Sequence, residues 1–327
     1  MKRFIKTNEF TLGIIIVAMW LIFGLVNPDI LSLSNLYSIT RASIISAMFA
    51  LSAMLVIIAV GIDISFYAVG CFSMYVTVKF FVSNKMMDVP LSVIFIGAIA
   101  IAILLELINW FFIDKLNLNS FIVTVGTQTL YKGYLLAFVG TAYITTLPKA
   151  MKNLSVSYIS STTNSSGIES YLHVLVIVVI VLYILMHLML NYTRFGRNIY
   201  AIGCDSVAAK RAGINISKTR LFVFIIAGVL CGIGGVFQAT LNRAAVPADL
   251  VGQELMVIAA VFLGGALRKQ ARGSIPGTAL GVILLSLISN NLILLKITSY
   301  WQQAVTGIII LIGLVIQSSK SAKEANN

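Results

Sequence analysis

The chain is a succession of long apolar runs separated by short polar breaks, and few folds tolerate that pattern. A helix crosses a bilayer in about 20 residues, whereas a barrel strand alternates over about 10. In hydrocarbon, every backbone amide and carbonyl must find its partner inside the protein, which leaves helices and closed barrels as spanning structures. Ten segments have helical length: 11–27, 41–60, 68–82, 91–113, 121–139, 171–190, 221–242, 254–267, 276–295 and 301–317. The third and eighth are short, which suggests broken or half-spanning helices. With 59% hydrophobic and 10% charged residues in 327, no soluble domain fits. The expected fold class is all-α: one polytopic membrane domain over residues 1–327.

The formal net charge of +12 superficially suggests a nucleic-acid partner. Its distribution argues against one, because the basic residues lie in short loops between apolar runs. With the N-terminus inside and ten crossings, fifteen Lys/Arg fall inside: Lys2, Arg3, Lys6, Lys115, six within 191–220, Arg268, Lys269, Arg272, Lys320 and Lys323. Four fall outside: Lys85, Lys149, Lys152 and Lys296. The asymmetry predicts a multi-pass protein of the cell (inner or plasma) membrane with both termini cytoplasmic. The opening MKRFIKTNEF leads into an apolar run with no small-residue cleavage site, so a retained first helix is expected. Cys71, Cys204 and Cys231 show no ligand spacing, and no metal site is expected.

The long external segment 140–170 is rich in Ser, Thr and Asn and contains STTNSSG with an N-x-S/T pattern at Asn164. It reads as a solvated loop, or more sharply as a docking surface for an external partner. A weak internal repeat is visible. Met54–Gly61 precedes Asp63-Ile64-Ser65 and Ala68-Val69-Gly70, and Met256–Val261 precedes Gly264-Gly265 and Gly273–Gly277. Paired helix breaks of this kind are found in transporter folds.

Catalytic signatures are missing. There is no GxxxxGK[ST], HExxH or GxSxG, so no catalytic residue is assigned. His173 and His187 read as packing residues. Lys79 and Lys132 are expected to snorkel or pair. Glu106 is the main candidate for an intramembrane relay, but it sits near the cytoplasmic end of its segment, where a structural partner or solvent contact is expected. A secondary transporter driven by an ion gradient is therefore the rival reading, and an integral membrane enzyme a weaker one. Small residues cluster instead: Gly228, Gly232, Gly234 and Gly235 on one helix, and Gly273, Gly277 and Gly281 spaced by four, which lets helix backbones approach closely.

The segment Asn191–Arg220 is a basic loop with six Lys/Arg and a single acid, Asp205. Within it, Asp205–Gly213 reads as a short helix. Asp205 or Ser206 caps its first amides, Ala208 and Ala209 favour helix, Lys210 and Arg211 suit its negative end, and Gly213 takes the left-handed stop. So short a helix is not stable alone in water and must lie on something. Anionic lipid would suit its charges. The Ala208–Ala209 face, small and flat, favours a groove on a cytoplasmic protein instead.

These residues resemble a known family. Thr193-Arg194-Phe195-Gly196-Arg197, Tyr200-Ala201-Ile202-Gly203 and Ala212-Gly213-Ile214 resemble the permease subunits of ribose/xylose/galactose-type sugar ABC importers, the inner-membrane components of binding-protein-dependent transport systems. The likeness continues through Glu254-Leu255, Leu263-Gly264-Gly265, Arg272-Gly273-Ser274, Gly277-Thr278 and Ser299–Gln303. Upstream, Gly61-Ile62-Asp63-Ile64-Ser65 and Asn119–Thr127 also fit, so the likeness spans 35–317. The order and spacing are more specific than any single motif.

The resemblance implies a cobalamin-importer-like (type II) permease fold of about ten helices with a weak internal repeat. It implies a cytoplasmic ABC ATPase, an extracellular or periplasmic sugar-binding protein, and a second permease copy or paralogue, all within membrane lipid. It implies no cofactor on this chain, with ATP and magnesium held by the partner ATPase. Asp205, Ser206, Ala208, Ala209, Lys210, Arg211 and Gly213 would then be the coupling element. Polar side chains at helix ends, Asn119, Thr124, Gln128, Asn290, Asn291 and Gln302, are candidates for the translocation pathway. Gly61, Asp63, Ser65, Gly264, Gly265, Gly273 and Gly277 are motif positions with structural roles. Two departures stand out. Phe66-Tyr67-Ala68 intervene before Val69-Gly70, and the basic Ala266–Ala271 replaces a Ser/Gly-rich turn. The sugar is not named by the sequence, and a nucleoside or sugar-derived signal remains an alternative solute.

Overall fold

The computed structural model describes residues 8–163, 167, 169–266 and 273–298, with positions 301, 304, 307, 308 and 311 beyond them. The chain runs α1 (Asn8–Val26), α2 (Leu33–Ala59), α3 (Phe66–Ser83), α4 (Leu91–Trp110), α5 (Ser120–Tyr134) and α6 (Lys149–Ser155). A hairpin of β1 (Tyr158–Thr163) and β2 (Glu169–His173) follows. Then come α7 (Leu175–Tyr192), α8 (Arg194–Cys204), α9 (Ser206–Arg211), α10 (Ile216–Asn242), α11 (Glu254–Val261) and α12 (Ile275–Leu294). Wider π turns extend α4 to Lys115, α5 to Val139 and α11 to Ala266.

Seven of the described helices are long and apolar enough to cross a membrane: α1, α2, α3, α4, α7, α10 and α12. The short apolar helix at 254–265 corresponds to the eighth expected segment. The tenth, 301–317, lies mostly outside the described residues. The third segment is full length, and the interruption falls before it, in the non-helical stretch 60–65.

Two helices begin earlier than their apolar runs. α2 starts at Leu33 instead of 41 because Ser38 and Thr40 return their hydroxyls to the carbonyls of Ser34 and Leu36, so their polarity does not interrupt the helix. α10 starts at Ile216 instead of 221, with Asn215 accepting from the Lys218 amide as its cap.

The segment 140–170 is not a plain solvated loop. Leu147 and Met151 are buried in a core with Met74, Val78 and Val236, which anchors α6. Ile144 pairs with Ala245 through backbone bonds of 3.0 and 2.9 Å. The hairpin qualifies the all-α expectation: β1 and β2 are antiparallel, with Ser161 opposite Tyr171. His173 accepts from the Leu175 amide at 3.2 Å and so caps α7, which starts at 175 and not at 171. Asn164 and the tip around it lie outside the described residues.

The contacts divide the chain into two compact units. One holds residues 51–157 and 185–255. In it α10 packs closely on α4 and α3, and its small residues explain how. A Cβ on Gly232 would lie 2.7 Å from the Ile99 Cα, and one on Gly235 2.3 Å from the Gly70 carbonyl oxygen. The helices therefore meet backbone to backbone, as the glycine clustering predicts. The other unit holds 1–50, 158–184 and 256–327. There α12 lies on the turn after α11, where a Cβ on Gly277 would come 2.2 Å from the Gly264 carbonyl oxygen.

Candidate functional site

The best-defined surface feature is the pair of short helices α8 and α9. Thr193 caps α8: its hydroxyl accepts from the Gly196 amide at 3.1 Å and donates to the Met189 carbonyl at 2.6 Å. Gly196 is required here, since a Cβ would sit 2.1 Å from the Leu190 carbonyl oxygen. That contact gives a physical reason for the Thr-Arg-Phe-Gly motif, which turns the chain sharply out of α7. α8 buries Gly196, Ile199 and Ile202 and exposes Arg194 and Arg197, an amphipathic pattern. Phe195 meets Phe222 of α10 edge-on at 6.2 Å. Burial holds the Tyr200 phenol above its usual pKa.

Asp205 ends α8 and caps α9, its Oδ1 accepting from the amides of Val207 at 2.8 Å and Ala208 at 3.0 Å. At the far end Gly213 is left-handed, with φ of 83°. Its amide bonds to the Lys210 carbonyl, and that of Ile214 to the Ala209 carbonyl, which closes the helix. The cap, the helix and the stop fall where the sequence indicates.

The surface that α9 presents differs from expectation. Ala209 is buried, whereas Val207, Ala208, Lys210 and Arg211 are exposed. Neighbouring helical residues point about 100° apart. The outward face is therefore Val207 and Ala208 rimmed by two cations, not a flat Ala-Ala pair.

The sequence reading missed Asp114. It accepts the Ser217 hydroxyl and lies 3.5 Å from the Arg220 guanidinium, joining the end of α4 to the start of α10. Arg220 is therefore an internal partner, while Arg194, Arg197, Lys210, Arg211 and Lys218 face outward. No local signal marks a pair separated by 106 residues.

Of the six pathway candidates, four make hydrogen bonds of their own. Asn119 caps α5, accepting from the Phe121 amide. Thr124 is fully buried and accepts from the Ile64 amide at 3.2 Å. Gln128 donates to Glu254 at 2.6 Å, and Glu254 also accepts from the Gly252 amide. Asn291, fully buried, accepts from Asn35 at 3.0 Å, and Asn290 beside it is half-buried. Gln302 lies outside the described residues. Most of these polar groups are spent on local or helix–helix bonds, the commoner use in membrane proteins.

The motif positions have clearer roles. Asp63 and Ser65 are fully buried and bonded to each other in the break before α3, where Gly61 has φ of 143°. Gly265 has φ of 102° at the end of the turn after α11. Gly264 and Gly277 form the tight contact described above, and Gly273 precedes Ser274, the cap of α12. Glu106 is fully buried, contrary to solvent contact, and bonds to Asn109 at 3.1 Å. Lys79 bonds the Val139 carbonyl and Lys132 is exposed.

A family model described as "Branched-chain amino acid transport system / permease component" matches residues 35–314. The chain belongs to this permease family. It is 31% identical over 311 residues to the ribose import permease protein RbsC of Bacillus subtilis, covering 95% of this chain and 92% of the relative. It is 29% identical over 320 residues to the ribose import permease protein RbsC of Haemophilus influenzae, covering 98% and 95%. It is 29% identical over 317 residues to the autoinducer 2 import system permease protein LsrC of an Enterobacter species, covering 97% and 88%. No solved structure matches the chain. The chain is thus a multi-pass inner-membrane permease, and such subunits are non-catalytic.

Proposed function

We propose that this chain is the membrane-spanning subunit of an ATP-driven importer for a monosaccharide such as ribose or a related pentose or hexose, working by alternating access. The observation that carries the reading is the near full-length similarity to two ribose import permeases. The family description names amino acids, so the family alone does not select the solute. The similarity to an autoinducer 2 permease keeps a sugar-derived signal as the second reading.

In this scheme the fold is of the cobalamin-importer type, with about ten helices in all: the seven long ones together with α5, α11 and 301–317. Residues 191–220 face the cytoplasm, and α9 sits in a cleft of the ATPase, with Val207 and Ala208 inward and Lys210 and Arg211 at the rim. Residues 140–170 face outward and meet a sugar-binding protein. A second permease copy or a paralogue completes the pathway. ATP and magnesium stay on the ATPase. Because a ligand shifts such an equilibrium only by differential affinity for the two states, strong sugar binding by the permease is not needed.

The deciding experiment is uptake of radiolabelled D-ribose by proteoliposomes holding the permease, its ATPase and its binding protein. Uptake should require ATP and survive an uncoupler. Uptake that continues without ATP and collapses with the uncoupler would overturn the ATP-driven mechanism in favour of ion-gradient transport.

A further inference from the structure

α4 carries an uncovered apolar stripe that ends in a cation. Leu104, Ile108 and Phe111 are exposed and follow one another by four and three residues, so they share one face. Lys115, exposed at the end of the π turn, follows Phe111 by four. Leu104 to Lys115 covers about 16 Å at the helical rise. One leaflet of the hydrocarbon core is about 15 Å deep. The stripe therefore runs from mid-membrane to one surface, as a lipid acyl chain does.

α10 supplies a second wall. Ile99 and Ile103 of α4 meet Gly232 and Gly228, and Asp114 meets Ser217, so the two helices run antiparallel. In antiparallel helices, residues one step past such contacts turn to the same side of the pair. Lys115 and Lys218 are each one step past the Asp114–Ser217 contact, as Leu104 is past Ile103. Lys218 is exposed, and so is Phe222, one turn deeper. Two lysines thus stand over a surface of Leu104, Ile108, Phe111 and Phe222.

Their charge is not answered locally. Asp114 is spent on the Ser217 hydroxyl and on Arg220. Among the described residues neither Lys115 nor Lys218 joins an ion pair. Lys115 Nζ is held 5.2 Å from the Trp110 ring centre and 3.5 Å from Ser217 Oγ. These contacts place the ammonium without neutralising it. A second copy packed on this face about a two-fold axis would bring up only its own lysines. Basic pockets between spanning helices on the cytoplasmic side suit anionic headgroups instead.

We propose that α4 and α10 bind one anionic phospholipid of the cytoplasmic leaflet. Its phosphate sits between Lys115 and Lys218, and an acyl chain lies along Leu104, Ile108 and Phe111. Only the leaflet rests on the topology proposed above. The binding itself needs neither the ATPase nor a sugar, and a wrong leaflet would leave the following outcomes unchanged.

The test is native mass spectrometry of the purified full-length permease in detergent with equal phosphatidylglycerol and phosphatidylcholine. Phosphatidylglycerol should be retained about tenfold over phosphatidylcholine. Lys115→Gln with Lys218→Gln should remove that preference, whereas Lys85→Gln, at an exposed lysine after α3, should keep it. Inorganic phosphate should not displace the lipid, because it has no chain to lay on the stripe. In native membranes, p-benzoylphenylalanine in place of Ile108 should cross-link to lipid. Equal retention of the two lipids by the wild type, an undiminished preference in the double variant or the same loss in Lys85→Gln would each overturn the proposal. So would displacement by inorganic phosphate, or a cross-linked permease dimer from position 108, which would give this face to a second copy.

Discussion

Gly232 shows how much one missing carbon decides in this fold. Its α-carbon lies where α10 crosses α4, and a side chain there would meet Ile99 backbone, which cannot rotate away. Overpacking of a close-packed site costs about 1–3 kcal/mol, and more when backbone is the obstacle. Gly232→Leu should therefore lower the thermal midpoint of the purified permease by several degrees and reduce its yield. Gly126→Ala, on α5 with open space around the added carbon, should leave both unchanged. Equal loss in the two variants would count against the crossing. The glycine spacing was legible because close packing of spanning helices demands small residues wherever it occurs. The Asp114–Arg220 pair was not, because opposite charges so far apart in sequence meet only once the helices between them are placed.

At the scale of the element, α9 is a helix made of its caps. Its six residues are too few to hold themselves, so Asp205, Gly213 and the packing of Ala209 keep it in place. Capping chemistry is local, which is why the sequence located the helix to within a residue or two. The exposed face depends on where the neighbouring helices lie, so the side on which Ala209 sits was not legible. For the same reason α8 went unrecognised, since its buried stripe of Gly196, Ile199 and Ile202 was masked by the basic residues between. The difference alters the test of coupling. A bulky residue at 209 would disturb the permease itself, whereas Ala208→Trp acts on the outer face alone. Ala208→Trp should leave membrane insertion and thermal stability intact and cut co-purification of the ATPase at least tenfold. A stable complex that still transports would remove α9 from the coupling role.

For the whole molecule, the number of crossings and the positions of the charges must agree. Among the described residues, seven helices are long enough to span by themselves. An odd count would put the N-terminal cluster Lys2, Arg3 and Lys6 on the opposite side from Lys320 and Lys323. The ten crossings proposed above, which add α5, the short helix α11 and segment 301–317, would return both basic termini and the 191–220 segment to one side, as positive-inside bias favours. The apolar length of α5 was legible, but its Thr, Gln and Lys positions make it the least hydrophobic of these helices. Reporter fusions resolve the arithmetic. Alkaline phosphatase joined after residue 157 should be active, and green fluorescent protein joined after 213 or at 327 should fluoresce. Phosphatase activity from a fusion after 213 would place α9 outside, away from any ATPase. The coupling role of α9 and the ten-helix count would then fail together, because both depend on α5 crossing the membrane.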